Sequence, residues 1–139
     1  MFKQLIMIKR ILVLFAIVLL VSVSFVNAQN EDWSAPSAAD KIVNPLKGNS
    51  DATKKGKILY QQMCAICHGD QGKGDGIAGA ALDPPPGNFI TKKVQAQTDG
   101  AIFWKITTGR PPMISYAEFL KEEQRWQLVN YIRELGKNK

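Results

Sequence analysis

Apolar residues run without a break from Ile11 to Val21 (ILVLFAIVLLV), then thin out to Val26 across Ser22 and Ser24. Lys3, Lys9 and Arg10 stand ahead of the run, and Val26-Asn27-Ala28 offers small or apolar residues where a signal peptidase reads. That order predicts a signal peptide over residues 1–28, cleaved after Ala28. A retained membrane anchor is the competing reading, but the uninterrupted run is short for a span. Position 29 is not a cysteine, which argues against a lipid-anchored start. Residues 29–50 carry Pro36, Pro45 and Gly48 and no helical period. They read as an extended lead-in whose Trp33, Ile42, Val43 and Leu46 are available to dock.

From there the period changes. Ser50-Asp51 supplies an N-cap, and Ala52, Gly56, Leu59, Tyr60 and Met63 then recur at spacings of three and four, which predicts a helix. Gly69 to Gly87 is dense in Gly, Pro and Asp and closes on Pro84-Pro85-Pro86-Gly87, which is loop chemistry. A second helix opens near Asp99-Gly100, carries Ile102, Phe103, Trp104 and Ile106, and stops at Gly109. Pro111 and Pro112 bar its continuation. A third runs from about Lys121 to Leu135 with Leu128, Tyr131, Ile132 and Leu135 on one face and Gly136 as its C′ residue. No strand-like alternation occurs. The expected domain, residues 51–139, is all-α, with three main helices and long loops.

Charge changes meaning once the leader is removed. The whole chain carries 18 basic and 12 acidic residues, a formal +6. Lys3, Lys9 and Arg10 leave with the leader, so 15 basic residues face 12 acidic ones and the mature chain is +3. The lysines are scattered, and no basic stripe is interleaved with aromatics. A nucleic-acid partner is therefore not expected, and solubilising surface charge explains the balance. One histidine excludes any mechanism that needs two. A mature chain of 111 residues with three short helices also buries little apolar surface unaided, so something must fill its middle.

Cys64-Ala65-Ile66-Cys67-His68 is C-x-x-C-H, the attachment signature of c-type haem. Two cysteines three apart at a helix end can both reach vinyl groups on one porphyrin edge. The next residue then presents an imidazole to the iron. The alternatives are weaker. A disulfide across three residues closes a tiny loop and stabilises little. A thioredoxin-like pair needs a βαβ setting that the pattern lacks. A zinc site would need carboxylates or water to complete it. The expected cofactor is one covalent haem c, held by Cys64 and Cys67, with His68 as proximal iron ligand.

The distal ligand follows by elimination. The mature chain has no second histidine and two methionines, Met63 and Met113. Met63 adjoins Cys64, on the side where the porphyrin is anchored. Met113 sits in a Pro-rich loop ahead of the last helix, free to cross the ring, and is the expected distal ligand; the competing role is a core plug. His/Met ligation fills both axial positions and favours electron transfer over oxygen chemistry. Gly74-Asp75-Gly76-Ile77-Ala78-Gly79 also satisfies G-x-G-x-x-G, but no strand precedes it, so it reads as a flexible wrap beside the haem edge rather than a nucleotide site.

With CAICHG, GKGDG, TTGRPPM and LVNYIREL in order, the chain from about Ser50 to Gly136 resembles the single-haem class I cytochrome c family of bacterial periplasmic type. The resemblance implies the cytochrome c fold wrapped around its haem. It also implies a crossing of the first and last helices in which Gly56 and Tyr60 meet Leu128 and Tyr131. It further implies a carbonyl of Pro84, Pro85 or Pro86 as acceptor for the proximal imidazole, with Trp104 and Arg110 within reach of the propionates. The sequence departs from the family in placing Ile114, not proline, directly after Met113.

The resulting expectation is a periplasmic one-electron carrier, not an enzyme, that docks transiently with redox proteins as donor and acceptor and takes no small-molecule substrate. A dedicated haem subunit of an exported dehydrogenase or oxidase is the second reading, marked by co-purification with one partner. A gas-binding sensor is the third, marked by ready carbon monoxide binding.

Overall fold

Asn49 is where the first helix begins. Its backbone is extended, and its side chain accepts from the Ala52 N–H at 3.0 Å, satisfying one of the free donors of helix α1, Ser50–Met63. The cap thus lies one residue ahead of the expected Ser50-Asp51, and Asp51 instead sits in the first turn, where a negative charge favours the helix dipole. The chain turns at Cys64, which closes α1 and opens the four-residue helix α2, Ala65–His68. A short helix α3, Lys92–Gln95, follows the long loop and is capped by Thr91. Helix α4, Asp99–Thr108, is capped by the Thr98 hydroxyl and ends at Gly109, whose φ of 67° few other residues adopt. Helix α5 spans Glu122–Lys137.

The computed structural model describes Phe2, Gln4, Arg10, Leu12 and residues 33–137. They fall into two units, Met1–Trp33 and Ser34–Lys139. In the first, Phe2, Gln4, Arg10 and Leu12 are helical, and the rest of the expected signal peptide lies outside the described residues. Among the described residues no helix is long and apolar enough to cross a membrane, and the only β-type pairing is an isolated bridge between Arg110 and Met113. The fold is all-α.

Helices α1 and α5 cross at Gly56. A Cβ built there would collide with the Gln127 carbonyl, so only glycine permits this approach. One turn on, Tyr60 packs on Tyr131 with ring centroids 5.1 Å apart, and Leu128 is 1% exposed beside them. This is the privileged crossing that the family resemblance implies. Phe103 of α4 stacks on Trp126 of α5 at 3.9 Å, joining the third helix to the same core. Tyr60, Trp126, Leu128 and Val129 are the largest fully buried side chains, each worth about 2 kcal/mol of transfer free energy.

Two expectations change. Helix α5 continues through Gly136 rather than ending before it. The glycine serves an approach: a Cβ there would meet the Gln95 amide, which donates to the carbonyls of Phe89 at 2.7 Å and Ile132 at 3.0 Å. The lead-in, for its part, packs Leu46 against the core as expected but docks through other residues as well. Val43 is 82% exposed, whereas Ala39, in a 3₁₀ turn over Ala39–Lys41, is buried beside Gly100. Buried Asn44 donates to Asp99 and to Asn130, both at 2.9 Å, and Asn130 donates back to the Leu46 carbonyl at 2.6 Å.

Candidate functional site

Cys64, Cys67 and His68 occupy the turn where α1 gives way to α2. The Cys64 carbonyl accepts from the N–H groups of both Cys67 and His68, at 3.1 and 2.9 Å, so one backbone oxygen sets the relation of all three. Both cysteines are half-buried free thiols. Burial, with the neighbouring Cys67 adding to it, pushes the Cys64 thiol up to about 12. Such a group stays S–H at neutral pH, the opposite of what a catalytic or redox-exchanging cysteine requires.

His68 is oriented from two sides. Its Nδ1 lies 3.1 Å from the Gly87 carbonyl. A carbonyl can only accept, so Nδ1 carries the proton and Nε2 keeps its lone pair. The ring also stacks on Phe89, centroids 4.4 Å apart at 20°. Burial lowers the imidazole pKa, with the Gly87 bond opposing, and this favours the neutral ring that binds metal. The acceptor is thus Gly87, one residue beyond the three expected prolines. The Pro86 carbonyl is turned instead toward Gly74, where it would abut any Cβ.

The glycine-rich loop is pinned, not free. Ala78, Gly76 and Gly74 donate their N–H groups to the carbonyls of Ile66, Cys67 and His68 at 2.9, 3.1 and 2.8 Å. These are the last carbonyls of α2, which its own four residues cannot satisfy. A Cβ at Gly76 or Gly79 would press on the Cys67 backbone. The donors that a phosphate would need are therefore already spent, and G-x-G-x-x-G here is a helix-capping device.

Met113 lies in the loop between α4 and α5, half-buried against the same core cluster that Met63 and Cys64 pack on. Its N–H bonds the Arg110 carbonyl at 2.8 Å across the tight Arg110–Met113 turn. Three residues on, Tyr116 reaches back to α1, its hydroxyl donating to the Met63 carbonyl at 3.0 Å. Burial, followed by the charges of Cys64 and Cys67, pushes this phenol up to about 12. Tyr116 drew no attention in the sequence reading. Its signal was a buried aromatic in a segment whose neighbours Ile114, Ser115 and Ala117 are exposed.

Two thiols, an imidazole with Nε2 unengaged and a thioether against one core form a donor set that suits covalent haem. Two buried donors, Arg125 Nε and Trp126 Nε1, also have no acceptor among the described residues. Buried donors of that kind suit a guest bearing carboxylates.

Comparison with known proteins agrees. Residues 51–132 match the family described as Cytochrome C oxidase, cbb3-type, subunit III. The cbb3-type cytochrome c oxidase subunit CcoP of Azospirillum brasilense is 30% identical over 110 residues, covering 73% of this chain and 35% of that protein. Thiosulfate dehydrogenase of Stutzerimonas stutzeri is 40% identical over 50 residues, covering 36% of this chain and 16% of the enzyme. The chain thus spans about a third or less of the length of these curated relatives. Among solved structures, the reducing HAO-like protein complex of Kuenenia stuttgartiensis superposes with a TM-score of 0.60 at 30% identity, covering 72% of this chain and 50% of that one. The chain belongs to the cbb3-type subunit III family of class I c-type cytochromes, electron-transfer proteins that bind haem c.

Proposed function

We propose that this protein is an exported carrier of single electrons, with one haem c joined by thioethers to Cys64 and Cys67 and ligated by His68 and Met113. The observation that carries the reading is the His68 geometry. An Nδ1–H committed to the Gly87 carbonyl leaves Nε2 as the iron-binding atom, next to two thiols at haem-attachment spacing. Bound there, the haem would supply one-electron exchange between Fe(II) and Fe(III). The chain's residues would do the rest. Cys64 and Cys67 would tether the group, His68 holds its donor atom in one tautomer, and Met113 would supply the second iron donor and exclude water and gas ligands. Trp104 and Arg110, both half-buried, are proposed propionate partners alongside Arg125 Nε and Trp126 Nε1, which have no acceptor among the described residues. The single histidine is committed to iron in this reading, which leaves none for base-assisted nucleophilic chemistry, so we assign no catalytic residue.

A second reading, a dedicated haem subunit, is favoured by the relatives. One is named as an oxidase subunit and another as part of a complex. Co-purification with one partner in fixed stoichiometry would distinguish it from a free shuttle. The attachment itself is tested on protein matured by haem-ligation machinery. Haem should stay with the polypeptide through acid-acetone extraction in the wild type and be lost in the Cys64→Ser, Cys67→Ser double variant. Extraction of haem from the wild type would refute the proposal.

A further inference from the structure

We infer that Tyr116 is a positioning residue for the distal ligand, acting through its hydroxyl bond to the Met63 carbonyl. The inference rests on Met113 being the distal ligand.

The loop from Gly109 to Lys121 has few internal holds. The Arg110–Met113 turn is closed by the Met113 N–H bond to the Arg110 carbonyl. Pro111, Pro112, Ile114, Ser115, Ala117, Glu118 and Phe119 are all exposed, so packing does not fix their course. The loop is held toward α5, where the Ala117 carbonyl accepts from Arg125 Nη1 at 3.2 Å, by buried Leu120, and at two further places. On one side Ser115 Oγ donates to the Thr107 carbonyl at 2.6 Å and the Tyr116 N–H bonds the Ile106 carbonyl at 3.1 Å, both on α4. On the other, Tyr116 alone reaches the segment that bears the cysteines. Its buried ring crosses to α1, and its hydroxyl ends on the carbonyl of the residue directly before Cys64, 53 positions away in sequence.

That contact ties the two ends of the site to one another. The Met63 carbonyl belongs to the last turn of α1, where carbonyls lack helical partners, so the phenol fills a need that α1 cannot meet itself. Met113 and Tyr116 are three residues apart, and only Ile114 and Ser115 lie between the thioether and the anchor. Removing the hydroxyl leaves the ring packed and the α4 bonds in place. It frees the distal loop to swing away from the porphyrin side and leaves the part-buried Met63 carbonyl without its donor.

Imidazole binding to the oxidised holoprotein tests this, because imidazole must displace the distal ligand to bind. Three variants are compared with the wild type: Met113→Ala, Tyr116→Phe, and Asn49→Ala, which removes the α1 cap remote from the loop. Met113→Ala should bind imidazole far more tightly than the wild type. Tyr116→Phe should bind it about fivefold more tightly, the effect of one lost hydrogen bond. Asn49→Ala should lose thermal stability and bind imidazole as the wild type does. Equal binding by Tyr116→Phe and wild type would overturn the inference while leaving Met113 as ligand. Equal tightening in Asn49→Ala would also overturn it, by showing general softening. Equal binding by Met113→Ala and wild type would remove the ligand assignment, and the inference with it.

Discussion

A methyl group at Gly56 would have to occupy the space of the Gln127 backbone carbonyl, whereas one at Gly136 would meet only the amide end of Gln95. A helix backbone cannot retreat without separating α1 from α5, but a side chain can turn aside. Gly56→Ala should therefore cost about 3 kcal/mol and Gly136→Ala about 1 kcal/mol, measured by denaturant unfolding of the holoprotein. Equal costs would show that the crossing is not limiting. Individual residues were legible in the sequence where their chemistry is local or their spacing is strict. Cys64, Cys67 and His68 announced themselves by spacing, and Gly56 by its resemblance to a known crossing. Gly87, Tyr116 and Gln95 did not, because each acts through a hydrogen bond across at least 19 positions that leaves no periodic trace.

At the scale of elements, a network of polar side chains joins the lead-in, α4 and α5. Asp99, at the start of α4, accepts from Asn44 and forms an ion pair with Arg133 at 2.7 Å. Arg133 in turn donates to the carbonyls of Gln95 and Gln97. Burial alone would raise the Asp99 pKa, but the bonds from Asn44 and Arg133 and the charges of Arg133 and Lys47 outweigh it and hold the carboxyl below its usual range. A depressed carboxylate stabilises the fold above its unfolded pKa of about 4 and loses that contribution as pH falls through the folded value. Unfolding midpoints between pH 6 and about 3 should therefore fall more steeply in the wild type than in Asp99→Asn. Parallel curves would mean that the pair contributes nothing. The long helices were readable from their apolar period, and α4 from Asp99-Gly100 and Gly109. In the lead-in, Leu46 packs against the core as its apolar character predicts, but Ala39 and Asn44, a small residue and an amide, dock with no apolar pattern to mark them. The short helix α2 and its capping loop were invisible to periodicity, since four residues make no repeat.

Within residues 34–139 the helices supply one cross-braced core, while the proposed site draws on turns: Cys64 to His68 at the end of α1, and Met113 ahead of α5. That division explains why the fold class could be read from pattern while the loop geometry around the site could not. The order of the motifs shows which residues matter, and only tertiary contacts such as Tyr116 to Met63 show how the two turns are brought into register. The most direct test of this account is the optical spectrum of the oxidised holoprotein in the far red, where methionine sulfur bound to ferric haem gives a weak charge-transfer band. The wild type should show the band, and Met113→Ala should lose it while keeping covalently attached haem. A wild type without the band, or a Met113→Ala variant that retains it, would contradict the His68/Met113 site.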